Sequence, residues 1–151
     1  MAGAYILGCA GPVLTAAERA FFRAADPWGF ILFDRNIKTK AQLQALCTDL
    51  RDAVGREAPI LIDQEGGRVQ RMWPPVWAAH PPALDLCESA RDPLKAMYLR
   101  GRLIAQELAE VGIDVNCAPL GDIAGAATHP RLQSRCYGAA AASVIARARA
   151  L

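Results

Sequence analysis

The sequence predicts an α/β protein built on a parallel sheet, and three observations carry that expectation. Short apolar runs recur at 4–9, 29–33 and 58–63 along 151 residues, and a fourth strand is read at 113–117, where Asp114 and Asn116 flank Val115. Runs without polar alternation suit strands covered on both faces. Helical segments separate them, and about a fifth of the residues are alanine, the strongest helix former. Strands alternating with helices in this way make a parallel sheet with helices packed on it.

The first run (Ala-Tyr-Ile-Leu-Gly-Cys) stops at Gly11-Pro12. Thr15 then caps a helix whose Ala17, Ala20, Phe21 and Ala24 fall on one face. Asp26-Pro27 ends that helix, because proline drives the residue before it towards extended backbone. The run 29–33 (Gly-Phe-Ile-Leu-Phe) is the second strand, with Asp34, Arg35 and Asn36 just past it. Thr39 opens a second helix, in which Leu43, Leu46, Leu50, Ala53 and Val54 repeat at helical spacing. The third strand, 58–63, ends on Asp63.

An irregular stretch rich in Pro, Trp and Gly follows, from Gln64 to Asp92. Pro93 sits in the first turn of a third helix that runs to about Glu110, Gly112 ends it, and 113–117 is the fourth strand. A second irregular stretch, 119–138, precedes an alanine-rich final helix. Four βα units are about half of a (β/α)8 barrel of ~250 residues. The same pattern fits a doubly wound open sheet, and the pattern alone leaves both closures standing.

Composition narrows the function classes. With 53% hydrophobic and 21% charged residues the chain is not intrinsically disordered. Seventeen Lys+Arg against 15 Asp+Glu give a net charge of +2 without a basic patch, so no nucleic-acid partner is expected. No run approaches the ~18 apolar residues of a membrane span, and the apolar start lacks a basic region, which disfavours a secretory signal. A soluble cytoplasmic protein without a membrane partner is the expectation. Cys9, Cys47, Cys87, Cys117 and Cys136 are odd in number and widely spaced. They make neither a disulfide framework nor a zinc site and read as buried or half-buried free thiols. Phosphate-loop and dinucleotide fingerprints are absent as well, so no cofactor or metal is expected.

In either closure, ligands bind at the carboxyl ends of the strands. Asp63 is the principal candidate there: a carboxylate closing an Ile-Leu-Ile run needs partners. It accepts hydrogen bonds from ligand hydroxyls, pairs with Arg68 or Arg71, or merely braces the loop. Gly66-Gly67 serves either a close backbone approach to a ligand or a positive φ. Arg71 and Arg135 each offer a planar fork to a carboxylate or to vicinal hydroxyls. Trp73 and Trp77 stack on a sugar face or, as the plainer reading, pack their loop. His80 and His129 lack a neighbouring nucleophile or metal ligand and read as surface histidines.

Residues 29–36 (Gly-Phe-Ile-Leu-Phe-Asp-Arg-Asn) and 61–71 (Leu-Ile-Asp-Gln-Glu-Gly-Gly-Arg-Val-Gln-Arg) resemble the amino-terminal domain of family 3 glycoside hydrolases, nearest to its bacterial β-N-acetylhexosaminidases of cell-wall recycling. Residues 112–119 and 134–138 (Ser-Arg-Cys-Tyr-Gly) continue the resemblance in order, so it covers nearly the whole chain. It implies a (β/α)8 barrel and a carbohydrate substrate, terminal β-linked N-acetylglucosamine of muropeptides. It also implies that Asp63 binds the sugar hydroxyls, with Arg71 and Arg135 in the same pocket. Cys117 and Cys136 stand where the family often has Phe and Ser. The family hydrolyses with retention, using an aspartate nucleophile and a histidine acid/base that follow a Lys-His-Phe-Pro-Gly-His segment. Neither is found in residues 1–151. The expectation is therefore half of a barrel, holding sugar-binding residues and no catalytic ones. The alternative is a vestigial half-barrel or sugar-binding module without catalysis. A barrel cut there exposes its first and fourth strands as edges. It also bares an inner face with Ile6, Phe30, Leu32, Leu61 and Val115 as candidates, which favours self-association.

Overall fold

The computed structural model describes residues 2–151, in two compact units. The first unit holds the residues up to Asp63 together with Glu107–Cys117; the second holds Gln64–Gln106 and Ala118–Leu151.

The first unit contains the sheet. Strands β1 (Gly3–Leu7), β2 (Pro27–Leu32), β3 (Ile60–Ile62) and β4 (Val115–Asn116) are all parallel, in the order β1-β2-β3-β4. A doubly wound sheet reverses its order at a switch point; this one adds each strand beside the last, as barrels do. The edges are β1 and β4, as the sequence predicts. Both are shorter than the predicted strands at 4–9 and 113–117. β1 stops at Leu7 because the Cys9 carbonyl accepts from Asn36 Nδ2 and Arg35 Nε, both at 3.1 Å, instead of joining the ladder.

Helix α1 (Ala16–Ala25) begins at a complete capping box. Thr15 Oγ1 accepts from the Glu18 N–H at 3.2 Å, and Glu18 Oε2 accepts from the Thr15 N–H at 3.0 Å. Its buried residue is Phe22, edge-on to Phe30 with ring centroids 5.1 Å apart. Phe21 is 57% exposed, so the predicted Ala17–Ala20–Phe21–Ala24 face is not the packed one. The small alanines mark no face by themselves, and the single large ring that meets the sheet decides the rotation. Helix α2 (Lys40–Val54) follows its Thr39 cap and buries Leu43, Leu46, Cys47, Leu50 and Ala53 at the predicted spacing.

Register separates the two faces of the sheet. Leu7 pairs with Phe30 and Phe30 with Ile60, whereas Ile31 pairs with Leu61 and Leu61 with Val115. Phe30, Leu32, Ile60 and Ile62 are all 0% exposed and form the core face. Ile31, Leu61 and Val115 are half-buried and Ile6 is exposed on the other. The predicted inner face therefore mixed two sides: side chains alternate, so Phe30 and Leu32 belong with the helix-packed side.

The second unit contains α3 (Ala83–Ser89), most of α4 (Pro93–Glu110), α5 (Pro130–Gln133) and α6 (Ala141–Ala150). Asp92 Oδ1 caps α4 by accepting from the Lys95 N–H at 3.1 Å, with Pro93 in the first turn as predicted. Neither α3 nor α5 is predicted by the sequence. α3 has no side-chain cap and follows two prolines. Tertiary burial holds it: Ala83 and Cys87, four residues apart, pack with Met97, Tyr137 and Val144.

Candidate functional site

Asp63 lies directly after β3, half-buried, at the carboxyl end of the strand. Arg71 and Arg135, both half-buried, lie in the second unit, one in the loop after Gln64 and one just after α5. Arg68 is exposed, and so is Asp122.

Two buried glutamines, unremarked in the sequence, organise the loop that carries Arg71. Gln64 Oε1 accepts from the backbone N–H groups of Arg71 at 2.9 Å and Met72 at 3.1 Å, and Gln64 Nε2 donates to the Met72 carbonyl at 3.1 Å. Gln70 Nε2 donates to the Met72 carbonyl at 2.6 Å and the Ala78 carbonyl at 2.7 Å, while its Oε1 accepts from the His80 N–H at 3.1 Å. Amide side chains thus supply the pairing that a loop lacks.

The Gly-Gly pair closes a tight turn. Gly66 and Gly67 have φ of 91° and 60°, and the Gly66 and Glu65 N–H groups both donate to the Val69 carbonyl, at 3.0 and 2.9 Å. A Cβ on Gly66 would overlap Arg100 Nη2 and lie 3.0 Å from the Pro81 oxygen. Of the two uses open to these glycines, positive φ is the one observed.

Beneath the turn lies Arg100 from α4, buried and absent from the sequence-based candidates. Its Nη1 donates to the Pro81 carbonyl at 2.7 Å and its Nη2 to the Glu65 carbonyl. Burial pulls its pKa below the usual guanidinium value, with Tyr137, Cys87 and Glu65 opposing that shift. Glu65, also unremarked in the sequence, grips Arg135 with both oxygens: Nε and Nη2 donate to Oε2 and Oε1, each at 2.8 Å. No sequence signal links these two residues, 70 positions apart.

The aromatic and histidine readings divide. Trp77 is buried and packs its loop, whereas Trp73 is exposed. His129 is exposed, and its Nδ1 accepts from the Arg131 N–H at 3.1 Å. His80 is buried, contrary to the surface reading, because its backbone is tied on both sides. Its N–H donates to Gln70, and its carbonyl accepts from the Gly67 N–H at 2.8 Å. All five cysteines are free thiols, four buried and Cys117 half-buried. Among the described residues no group of three His, Cys, Asp or Glu is placed to hold a metal.

Residues 17–151 match the model of the glycosyl hydrolase family 3 N-terminal domain, and the chain belongs to that family. It is 39% identical over 125 residues to a β-hexosaminidase of Bordetella avium, covering 80% of this chain and 36% of that protein. A β-hexosaminidase of Pseudomonas aeruginosa is 35% identical over 131 residues, again with 36% of its length covered. NagZ from Neisseria gonorrhoeae, in complex with N-trifluoroacetyl-D-glucosamine, superposes with a TM-score of 0.89 at 26% identity, over 99% of this chain and 45% of that one. The chain thus spans about a third of the length of the curated relatives it matches. With the sequential parallel strand order, the structural match assigns the fold to the amino-terminal half of a (β/α)8 barrel.

Proposed function

We propose that the chain is the sugar-binding amino-terminal part of a β-N-acetylhexosaminidase that removes terminal β-linked N-acetylglucosamine from muropeptides with retention. Asp63, Arg71 and Arg135 are the residues that bind the sugar. The observation that carries this reading is the 61–71 segment, which leaves the carboxyl end of β3 in a chain 39% identical to a β-hexosaminidase. Carboxylate and guanidinium groups suit vicinal hydroxyls, which both accept and donate. Residues 1–151 supply binding groups and no catalytic residue. A retaining mechanism needs a nucleophile ~5–5.5 Å from its acid/base, and neither is assigned here.

Action in the cytoplasm is part of the same reading, supported by five cysteines that are all free thiols. Self-association through the open edges of β1 and β4 is a further part. It is supported by exposed Tyr5 and Ile6 on β1 and exposed Trp28 on the adjacent β2, and sedimentation as a monodisperse monomer contradicts it.

The test is calorimetric titration of the 151-residue chain with N-acetylglucosamine, beside an assay on an aryl N-acetyl-β-glucosaminide. Saturable binding without turnover is expected. Asp63→Ala should weaken binding by ~1.5–3 kcal/mol, the value of a hydrogen bond to a charged group. Turnover by this chain that disappears in Asp63→Ala would overturn the assignment of roles, and absence of binding would overturn the function.

A further inference from the structure

We infer that Glu65 is the positioning residue of the sugar site: it fixes the plane and rotation of the Arg135 guanidinium and acts on the ligand only through it. The inference rests on the proposed role of Arg135 and assigns a task to a residue outside the predicted set.

Three features carry it. The grip is side-on and two-pronged, with Arg135 Nε and Nη2 donating at 2.8 Å to separate carboxylate oxygens. Such a fork-to-carboxylate pair sets orientation as well as distance. The guanidinium carries three further N–H groups besides the two that this carboxylate takes.

The burial is unequal. The Glu65 side chain is 8% exposed and that of Arg135 25%. The carboxylate is thus the more hidden member of the pair and the guanidinium the more accessible one.

Glu65 is also the fixed member of the pair. Its N–H donates to the Val69 carbonyl at 2.9 Å, and its own carbonyl accepts from buried Arg100. Directly after it stands Gly66, at φ 91°, where a Cβ would collide with that same arginine. Turn, α4 arginine and carboxylate form one chain of constraints ending at Arg135.

The test uses the 151-residue chain labelled with nitrogen-15. The Arg135 Nε–H correlation, identified by its loss in Arg135→Lys, should be resolved and slow to exchange with water in the parent. In Glu65→Gln it should move and exchange rapidly, and affinity for N-acetylglucosamine should fall about ten-fold or more. Glu65→Asp, which keeps the charge on a shorter arm, should recover part of both. Thermal melts of each variant verify that the fold survives. An Arg135 signal unchanged by Glu65→Gln overturns the inference. So does a changed signal with unchanged affinity in a folded variant. Absence of N-acetylglucosamine binding by the parent is a separate result: it defeats the proposed function and, with it, the task assigned to Glu65.

Discussion

Replacing Gln64 by methionine keeps an unbranched side chain of similar length and removes both of its hydrogen-bonding groups. The fully buried Gln64 Oε1 is the acceptor for the N–H groups of Arg71 and Met72, at 2.9 and 3.1 Å. The third bond, from Nε2 to the Met72 carbonyl, is less exclusive, because Gln70 Nε2 donates to the same oxygen at 2.6 Å. The loss is therefore that of the Gln64 acceptor for one buried and one part-buried donor. At about 1–3 kcal/mol for each, Gln64→Met should cost about 2–6 kcal/mol, concentrated in the loop that carries Arg71. Amide hydrogen exchange at Arg71 and Met72, read by NMR, is the direct assay. At ~1.4 kcal/mol per ten-fold, protection should fall at least ~30-fold, and the thermal midpoint should fall with it. Protection at both amides within about three-fold of the parent would refute the idea that this side chain organises the loop.

Gly66→Ala should destabilise the chain by about 1–3 kcal/mol in urea denaturation, from left-handed backbone plus the collision with Arg100. Thr15→Ala removes the oxygen that receives the Glu18 N–H and should cost ~1 kcal/mol, with Thr15→Ser close to the parent. Burial pushes the Cys47 thiol from 9.0 up to about 12, and burial also raises Cys9, Cys87, Cys136 and Tyr137. The unfolded Cys47 thiol releases its proton near pH 9 and the folded one only near pH 12, so stability is full below pH 9 and is lost as pH rises towards 12. Thermal melts should show that decline, less steep in Cys47→Ala.

Elements with a local signature were legible in the sequence. Thr39 and the leucine spacing after it locate α2, Asp92-Pro93 locates the start of α4, and Thr15 locates that of α1. The 61–71 segment, which carries the family resemblance, runs from β3 through the proposed binding residues Asp63 and Arg71. What was illegible depends on partners remote in sequence. α3 is held by Tyr137 and Val144 far downstream, and the Glu65–Arg135 grip spans 70 positions. His80 was misread because only the fold shows its backbone tied by Gln70 and Gly67. The rotation of α1 was misread for a similar reason: adjacent Phe21 and Phe22 compete for the core, and the position of Phe30 chooses between them.

The central claim, that Asp63, Arg71 and Arg135 bind N-acetylglucosamine, is tested most directly by mapping the sugar onto the nitrogen-15 spectrum of the chain. The account predicts saturable amide shifts confined to the segments 63–71 and 134–136 and reduced in Asp63→Ala. Saturable shifts located elsewhere, or identical in Asp63→Ala, would contradict it.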